Sequence, residues 1–205
     1  MNNSQLINQD SGNVEYYTPA EVLACVHQMF PVIDLDPASC ELANQNVKAK
    51  QIFTIEDNAL TKDWVGNTVW MNHPFTKGEK ACPAKKGRKK MCKKKNCIPN
   101  RKSTTRGHCI TEDIPSNLDW ITYYLNQFEL GHFNEGLNIT FSNTSETWCQ
   151  KLLNAGASCF IDGRTHFNDA ENKPTGSATK GCFITYLGDR TEEFKTIFSK
   201  LGAVK

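Results

Sequence analysis

Residues 72–75 (Asn-His-Pro-Phe) place an amide, a rigid turn and an aromatic ring at the end of a short apolar run. These residue types suit chemistry on the exocyclic amine of a nucleobase, which is a weak nucleophile because its lone pair delocalises into the ring. The Asn72 side-chain oxygen and the His73 main-chain carbonyl can accept the two amine hydrogens, which frees that lone pair. Pro74 restricts the preceding backbone and so fixes the His73 carbonyl. Phe75 offers a flat face on which a base taken out of its helix can stack.

Polar residues end three strands that are predicted in the first half of the chain. Asp36 ends VIDLD, Asp57 follows FTIE, and Asn72 follows TVWM. Sites in open α/β sheets form where strands stop at their carboxyl ends. The sequence therefore predicts that these three side chains share one edge of a sheet, although each alone is also an ordinary turn-forming residue.

Predicted helices alternate with these and later strands. The first helix is predicted to have Thr18 at its N-cap and Pro19 at its first helical position. Further helices are predicted within 116–131, 145–156 and 191–202, and further strands within 137–143, 157–162 and 180–188. This alternation predicts an α/β fold with a largely parallel sheet.

The bulk composition suits one substantial domain with a small appendage. The chain has 205 residues, with 24 Lys and Arg against 22 Asp and Glu. Its longest apolar runs are too short to span a bilayer, and its first residues lack the apolar region of a signal peptide. We therefore expect a cytoplasmic protein with no membrane partner. Nine cysteines in a reducing compartment argue against a disulfide framework.

Basic residues concentrate in the segment that follows the tetrapeptide. Between Lys77 and Arg106, thirteen Lys and Arg stand against one acid, Glu79. Such a patch on an otherwise acidic chain favours a polyanionic partner, although a solvated lysine loop has the same composition.

Four cysteines in the same segment can form a metal site. Cys82, Cys92, Cys97 and Cys109 lie there, with His108 beside the last. Four thiolates can hold a structural zinc ion, and metal binding can fold a segment too small for its own core. The tight Cys-x2-Cys pair of many zinc sites is missing. We expect zinc, while an iron–sulfur cluster, four free thiols and a ligand role for His108 stay open.

The tetrapeptide resembles the (N/D)-P-P-(Y/F/W) motif of S-adenosylmethionine-dependent amino-methyltransferases. The segments YYTP, DLDPAS, EDNAL, WMNHPF and DGRTHF also follow the order found in phage-type DNA N6-adenine methyltransferases. The resemblance covers residues 15–75 and 117–190. It implies a Rossmann-like methyltransferase sheet built from 1–75 and 117–205, interrupted by a Cys-rich basic insertion at 76–116.

The same resemblance assigns cofactor-binding residues. Thr18 and the helix N-terminus beside it lie near the methionine end of S-adenosylmethionine, whose carboxylate they can bind. Asp36 stands in for the first cofactor motif, which lacks the usual Gly-x-Gly loop, and Asp57 approaches the adenine. The full set is Tyr17, Thr18, Pro19, Asp34, Asp36, Pro37, Ala38, Asp57 and Asn58. A second departure is His73, which takes the place of the first Pro of the motif and either packs, orients the substrate or takes a proton.

The resemblance implies methyl transfer to adenine N6 in duplex DNA, with Asn72, His73, Pro74 and Phe75 as the catalytic set. The insertion then serves as the DNA-contacting element, through Lys85, Lys86, Arg88, Lys89, Lys90, Arg101 and Arg106. Lysines there contact phosphates, and arginines can read guanine. Cytosine N4, and an inactive zinc-dependent nucleic-acid-binding protein, stay open as alternatives. A phage-type enzyme would act in the cytoplasm of a bacterial host; its oligomeric state is not indicated.

Overall fold

The computed structural model describes residues 16–82, 110–169, 173, 178 and 180–205. Within these ranges the chain forms a mixed α/β fold, as the alternating pattern predicts. The strands of the large sheet are β1 (Ile33–Asp36), β2 (Ala49–Ile52), β3 (Thr68–Met71), β6 (Glu135–Phe141), β7 (Ala157–Ile161), β8 (Cys182–Leu187) and β9 (Gly202–Val204). A separate antiparallel pair consists of β4 (Lys77–Glu79) and β5 (Ile114–Ser116). The helices are α1 (Ala20–Met29), α2 (Glu41–Val47), α3 (Asn117–Glu129), α4 (Thr147–Ala155) and α5 (Thr191–Phe198), with a short 3-10 helix at Ala59–Thr61.

The large sheet is parallel in one half and antiparallel in the other. Its strand order is β2-β1-β3-β6-β8-β7-β9, and β2, β1, β3 and β6 run parallel. Strand β8 is antiparallel to both of its neighbours, β6 and β7, and β9 is antiparallel to β7. The predicted largely parallel sheet is therefore wrong for this half. A parallel neighbour needs a crossover connection, whereas antiparallel strands do not. The mixed sheet still fits a Rossmann-like methyltransferase fold.

Helices cover both faces of the sheet. On one face, α1 and α5 pack against side chains such as Trp70 and Ile184. On the other face, α3 and α4 pack against alternate residues of the same strands, such as Met71 and Phe183. All four residues of β3 are buried, because successive side chains of a strand point to opposite faces and both faces are covered here.

The start of α1 differs from the prediction. The helix begins at Ala20, its N-cap is Pro19, and no side chain caps it. The Thr18 hydroxyl, which was expected to cap this helix, instead accepts a hydrogen bond from the Asn72 side-chain amide at 3.1 Å. The predicted cap is wrong because a contact with a residue distant in the sequence takes precedence over the local one.

A two-stranded sheet lies between the end of β3 and the start of α3. The Asn117 N–H donates to the Thr76 carbonyl at 2.9 Å, and the Thr76 hydroxyl donates to the Pro115 carbonyl at 2.6 Å. Helix α3 then begins with a capping box, in which Ser116 and Asp119 each bind the other's backbone N–H. These contacts close the base of the predicted insertion against the body of the protein.

Candidate active site

The Asn72 side chain lies directly after β3 in a single defined orientation. Its amide nitrogen donates to the Tyr16 carbonyl at 3.0 Å and to the Thr18 hydroxyl at 3.1 Å. A carbonyl oxygen can only accept, so the nitrogen of the amide must face Tyr16. The side-chain oxygen Oδ1 therefore occupies the other branch, and no residue of the described ranges donates a hydrogen bond to it. Asn72 presents a held acceptor at the carboxyl edge of the sheet.

His73 points into the protein rather than toward this edge. The residue is only 2% exposed, and its Nε2 lies 3.2 Å from the Asn117 side-chain oxygen. Its Nδ1 lies 3.4 Å from the Asn138 amide nitrogen, which also donates to the Met71 carbonyl at 3.2 Å. An imidazole with its proton on Nε2 satisfies both asparagines. Burial lowers the pKa of His73 to about 3, so the ring is neutral. This geometry fits a packing or orienting role and disfavours proton transfer.

The backbone of the tetrapeptide forms a tight turn. The Thr76 N–H donates to the Pro74 carbonyl at 2.9 Å. The carbonyl of His73, by contrast, receives no hydrogen bond from any residue that the structure describes. The turn thus leaves a second acceptor free beside Asn72.

Phe75 is held by a cluster of aromatic rings. Its ring centroid lies 4.7 Å from that of Phe141 and 5.8 Å from that of Phe167, both edge to face. The ring of His73 also lies edge to face with Phe75, with 5.4 Å between the two ring centroids. Phe141 and Phe167 were not singled out from the sequence, because each reads there as an ordinary apolar residue.

Asp36 is a buried carboxyl group at the carboxyl end of β1. One of its oxygens accepts a hydrogen bond from the Ala38 N–H at 3.1 Å, across the turn that contains Pro37. Burial raises the pKa of Asp36 to about 7. No basic side chain of the described ranges pairs with this carboxyl group. An ammonium or hydroxyl group of a ligand would therefore relieve an existing cost of burial.

A cavity of about 480 Å³ lies beyond the carboxyl ends of β1 and β2. Its rim is apolar, since Ile55 is 95% exposed and Leu42 is 37% exposed. Tyr17, one of the predicted cofactor-binding residues, lines it, and its hydroxyl accepts a hydrogen bond from the Cys40 thiol at 3.6 Å. The other lining residues were missed: Cys40, Glu41, Leu42, Thr54, Ile55 and Glu56. The sequence offered one indication of this cavity, because the apolar Ile55 stands in an acidic turn. Thr18 lines a separate cavity of about 300 Å³ beside α1.

The remaining predicted cofactor residues are used by local structure. The Asp57 carboxylate accepts hydrogen bonds from the Thr54 N–H at 2.8 Å and the Thr54 hydroxyl at 3.0 Å, which lowers its pKa. Asn58 adopts a left-handed conformation that starts the 3-10 helix. Their cofactor role stays a prediction. Asp34 binds Lys50 at 2.8 Å and the Asn67 N–H at 2.9 Å, so it fastens the amino end of β3, away from Asp36 and Asn72.

The predicted metal and DNA contacts lie mostly outside the described residues. Cys82 is buried, and its N–H donates to the Ile110 carbonyl at 3.0 Å. The other residues concerned, which the structure does not describe, are Cys92, Cys97, Cys109, Lys85, Lys86, Arg88, Lys89, Lys90, Arg101 and Arg106. Across the part of the chain that is described, no three His, Cys, Asp or Glu side chains are grouped so as to hold a metal ion.

Comparison with known proteins places this chain in a family. The family model described as DNA N-6-adenine-methyltransferase (Dam) matches residues 7–203. The chain belongs to this family. One relative, the DNA N-6-adenine-methyltransferase of Haemophilus phage HP1 (strain HP1c1), is 40% identical over 60 residues, which are 29% of this chain. The match spans only 33% of that relative's length. No solved structure matches the chain.

Family membership confirms the resemblance seen in the ordered motifs. The phage relative carries the same name as the family. No helix in the described part of this Dam-family chain has both the length and the apolar character that crossing a membrane requires.

The environment of His73 predicts different outcomes for two substitutions. Both His73→Pro and His73→Ala leave the Asn117 oxygen buried without its partner, so either variant should lose about 1–3 kcal/mol of unfolding free energy. The proline variant keeps the main-chain carbonyl at this position in place through its fixed φ, so it should retain most methyltransferase activity, whereas the alanine variant should lose it. Chemical unfolding and methyl-transfer assays measure the two effects. Equal activity in the two variants would contradict an orienting role for the imidazole.

Proposed function

We propose that this chain transfers a methyl group from S-adenosylmethionine to the N6 amine of adenine in duplex DNA. The proposal rests chiefly on the Asn72 side chain, whose amide hydrogens are both used by Tyr16 and Thr18 and whose oxygen is left as an acceptor. Membership of the Dam family supports adenine N6 over cytosine N4 and supports DNA as the substrate.

Two acceptors at the end of β3 activate the amine. Asn72 Oδ1 and the His73 carbonyl each take one hydrogen of the amine, which aligns the nitrogen and frees its lone pair. S-adenosylmethionine supplies the electrophilic methyl group when bound. Alignment of the two reacting groups carries most of the rate enhancement. The buried, neutral His73 takes no part in proton transfer, and the methylated amine loses its proton to water.

Phe75 receives the target base. Edge-to-face contacts from Phe141 and Phe167 fix its ring at centroid distances of 4.7 and 5.8 Å. A fixed ring loses little side-chain freedom when a base stacks on it, so stacking of the everted adenine costs little entropy.

The cofactor occupies the cavity beyond β1 and β2. Asp36 ends β1 beside this cavity but is not among its lining residues. Its buried carboxyl group binds the ammonium group or a ribose hydroxyl, and the apolar rim of Leu42 and Ile55 covers the adenine ring. Tyr17 and Glu56 line the same cavity. Thr18 lines the separate cavity beside α1. Its hydroxyl accepts from Asn72 and keeps its own hydrogen, so it is free to donate, and its contact with the cofactor carboxylate stays a prediction.

The insertion at 76–116 holds a structural zinc ion through Cys82, Cys92, Cys97 and Cys109 and contacts DNA with its basic residues. Support comes from its base, where the antiparallel β4–β5 pair and the Cys82–Ile110 hydrogen bond bring the two ends of the segment together. Cys109 directly precedes Ile110 in the sequence. A closed base reduces the entropy that metal binding has to overcome. The enzyme acts on DNA in the cytoplasm of a bacterial cell, as the phage relative suggests.

Substitution of Asn72 tests the methyl transfer itself. Tritiated methyl groups from S-adenosylmethionine should enter DNA with the wild type and almost not at all with Asn72→Ala, because one of the two acceptors is lost. The variant Asn143→Ala, half-buried beyond β6, is a matched control and should stay active. Mass spectrometry of the nucleosides should show N6-methyladenine. N4-methylcytosine as the product, or full activity of Asn72→Ala, would overturn the proposal.

Cofactor affinity should depend on pH through Asp36. Its pKa of about 7 in the free protein means that the carboxyl group is protonated at lower pH, and the carboxylate is the form that pairs with an ammonium group. Affinity should therefore rise by about tenfold per pH unit as the pH increases toward that pKa. Calorimetry should find weaker, pH-independent binding for Asp36→Asn and wild-type behaviour for Asp63→Asn, a change at an exposed acid. The same pH dependence in wild type and Asp36→Asn would contradict this assignment.

Metal analysis tests the zinc site. Purified protein should contain about one zinc ion per chain, and Cys82→Ser should lose it, because a structural zinc site needs its four ligands. Cys40→Ser, a change at the half-buried thiol of the cofactor cavity, should keep the metal. Zinc-free wild type, or iron in place of zinc, is the result that rules this site out.

A further inference from the structure

Two cationic side chains outside the insertion lie beside the aromatic cluster of Phe75. The Lys180 ammonium lies 5.5 Å from the centroid of the Phe141 ring, which is itself in edge-to-face contact with Phe75. The Arg164 guanidinium lies next to the following residue, since a Cβ on Gly181 would sit 3.9 Å from its Nη1. Arg164 and Lys180 therefore converge at the carboxyl edge of the sheet, one ring away from the surface that receives the base.

Neither cation is neutralised by the protein as described. No ion pair joins Arg164 or Lys180 to a carboxylate of the described ranges. Asp169, which follows Arg164 in the same segment of the sequence, accepts a hydrogen bond from the Lys173 N–H at 3.0 Å. Two like charges held together without a counter-charge attract an anion.

The backbone that carries both cations is firmly held. Thr165 and Phe167, on either side of the exposed His166, are buried, and the Ala178 N–H donates to the Thr165 carbonyl at 3.0 Å. The Gly181 carbonyl accepts from the Ser142 N–H at 2.8 Å, which ties the residue after Lys180 to the end of β6. Charges on a rigid support bind a fixed anion with less loss of entropy than charges on a free loop.

We propose that Arg164 and Lys180 bind the DNA phosphates that flank the everted adenine. This inference rests on the proposed function, because it takes the base to lie on Phe75. A nucleotide whose base stacks there carries its phosphates one sugar away, and the Lys180 ammonium lies only one ring, that of Phe141, away from Phe75. Contacts with phosphates fix the position of the strand and carry no sequence information. They hold the target strand at the site independently of the basic insertion.

The salt dependence of DNA binding tests this surface directly. Each phosphate contact on duplex DNA contributes about −0.9 to the slope of log K against log salt concentration. The double variant Arg164→Gln/Lys180→Gln should therefore have a slope smaller in magnitude by about two, and each single variant by about one. A labelled duplex of any sequence serves as the probe, because the contacts do not read bases.

A matched control separates this surface from a general loss of charge. Lys195→Gln/Lys200→Gln removes the same two charges at α5 and just beyond it, where Lys195 pairs with Glu192 and Lys200 bonds Gln28. It should keep the wild-type slope, as should the charge-preserving Arg164→Lys/Lys180→Arg. Calorimetry with S-adenosylmethionine confirms that each variant is folded.

The outcomes distinguish this inference from the proposed function. A wild-type slope in Arg164→Gln/Lys180→Gln, or an equal loss in the α5 control, overturns the phosphate surface while leaving the methyltransferase proposal intact. Loss of folding in the double variant passes the decision to the single variants. A wild type that binds S-adenosylmethionine but no DNA overturns both.

Discussion

The anchoring of the Asn72 amide is the interaction on which the site depends. Its nitrogen bonds to Tyr16 and Thr18, which belong to the segment before α1, far from β3 in the sequence. This contact joins the amino-terminal segment to the end of the central strand and fixes the direction of the free oxygen. It also draws the Thr18 hydroxyl away from capping α1. One pair of hydrogen bonds therefore sets both the direction of the proposed substrate acceptor and the position of the segment that carries Tyr17 to the larger cavity.

Hydrogen bonds between buried polar groups also stabilise the turn that follows Asn72. His73 is held between Asn117 and Asn138 as a neutral ring, and each asparagine belongs to a different element, α3 and β6. A buried ring with both nitrogens bonded is costly to move, because any displacement leaves buried polar atoms unpaired. Position 73, which is usually Pro in the motif that the tetrapeptide resembles, thus gains from side-chain contacts the rigidity that a proline ring provides through the backbone. Asp36, by contrast, is buried without a cationic partner in the described ranges. A positively charged group of a ligand would offset the cost of burying its carboxylate.

Much of this could be predicted from the sequence, because strand ends and their polar residues leave a local pattern. Asp36 and Asn72 lie at one edge of the sheet as expected. The antiparallel direction of β8 between β6 and β7 could not be predicted, since a strand has the same apolar pattern whichever way it runs. The burial of His73 and the contact of Thr18 with Asn72 depend on pairs distant in the sequence. Asp34 illustrates the same limit: the resemblance counts it among the cofactor-binding residues, whereas its contacts with Lys50 and with Asn67 at the start of β3 could not be predicted.

The central claim is that Asn72 Oδ1 and the His73 carbonyl hold the amine of an everted adenine. A crystal structure of the protein with a non-reactive cofactor analogue and an unmethylated duplex that contains the sequence it modifies tests this directly. The account predicts both oxygens within hydrogen-bond distance, about 2.7–3.2 Å, of the adenine N6 atom, with the base on Phe75. An adenine that stays stacked in the duplex, or an N6 atom bound by other residues while Asn72 Oδ1 faces the protein, would contradict it.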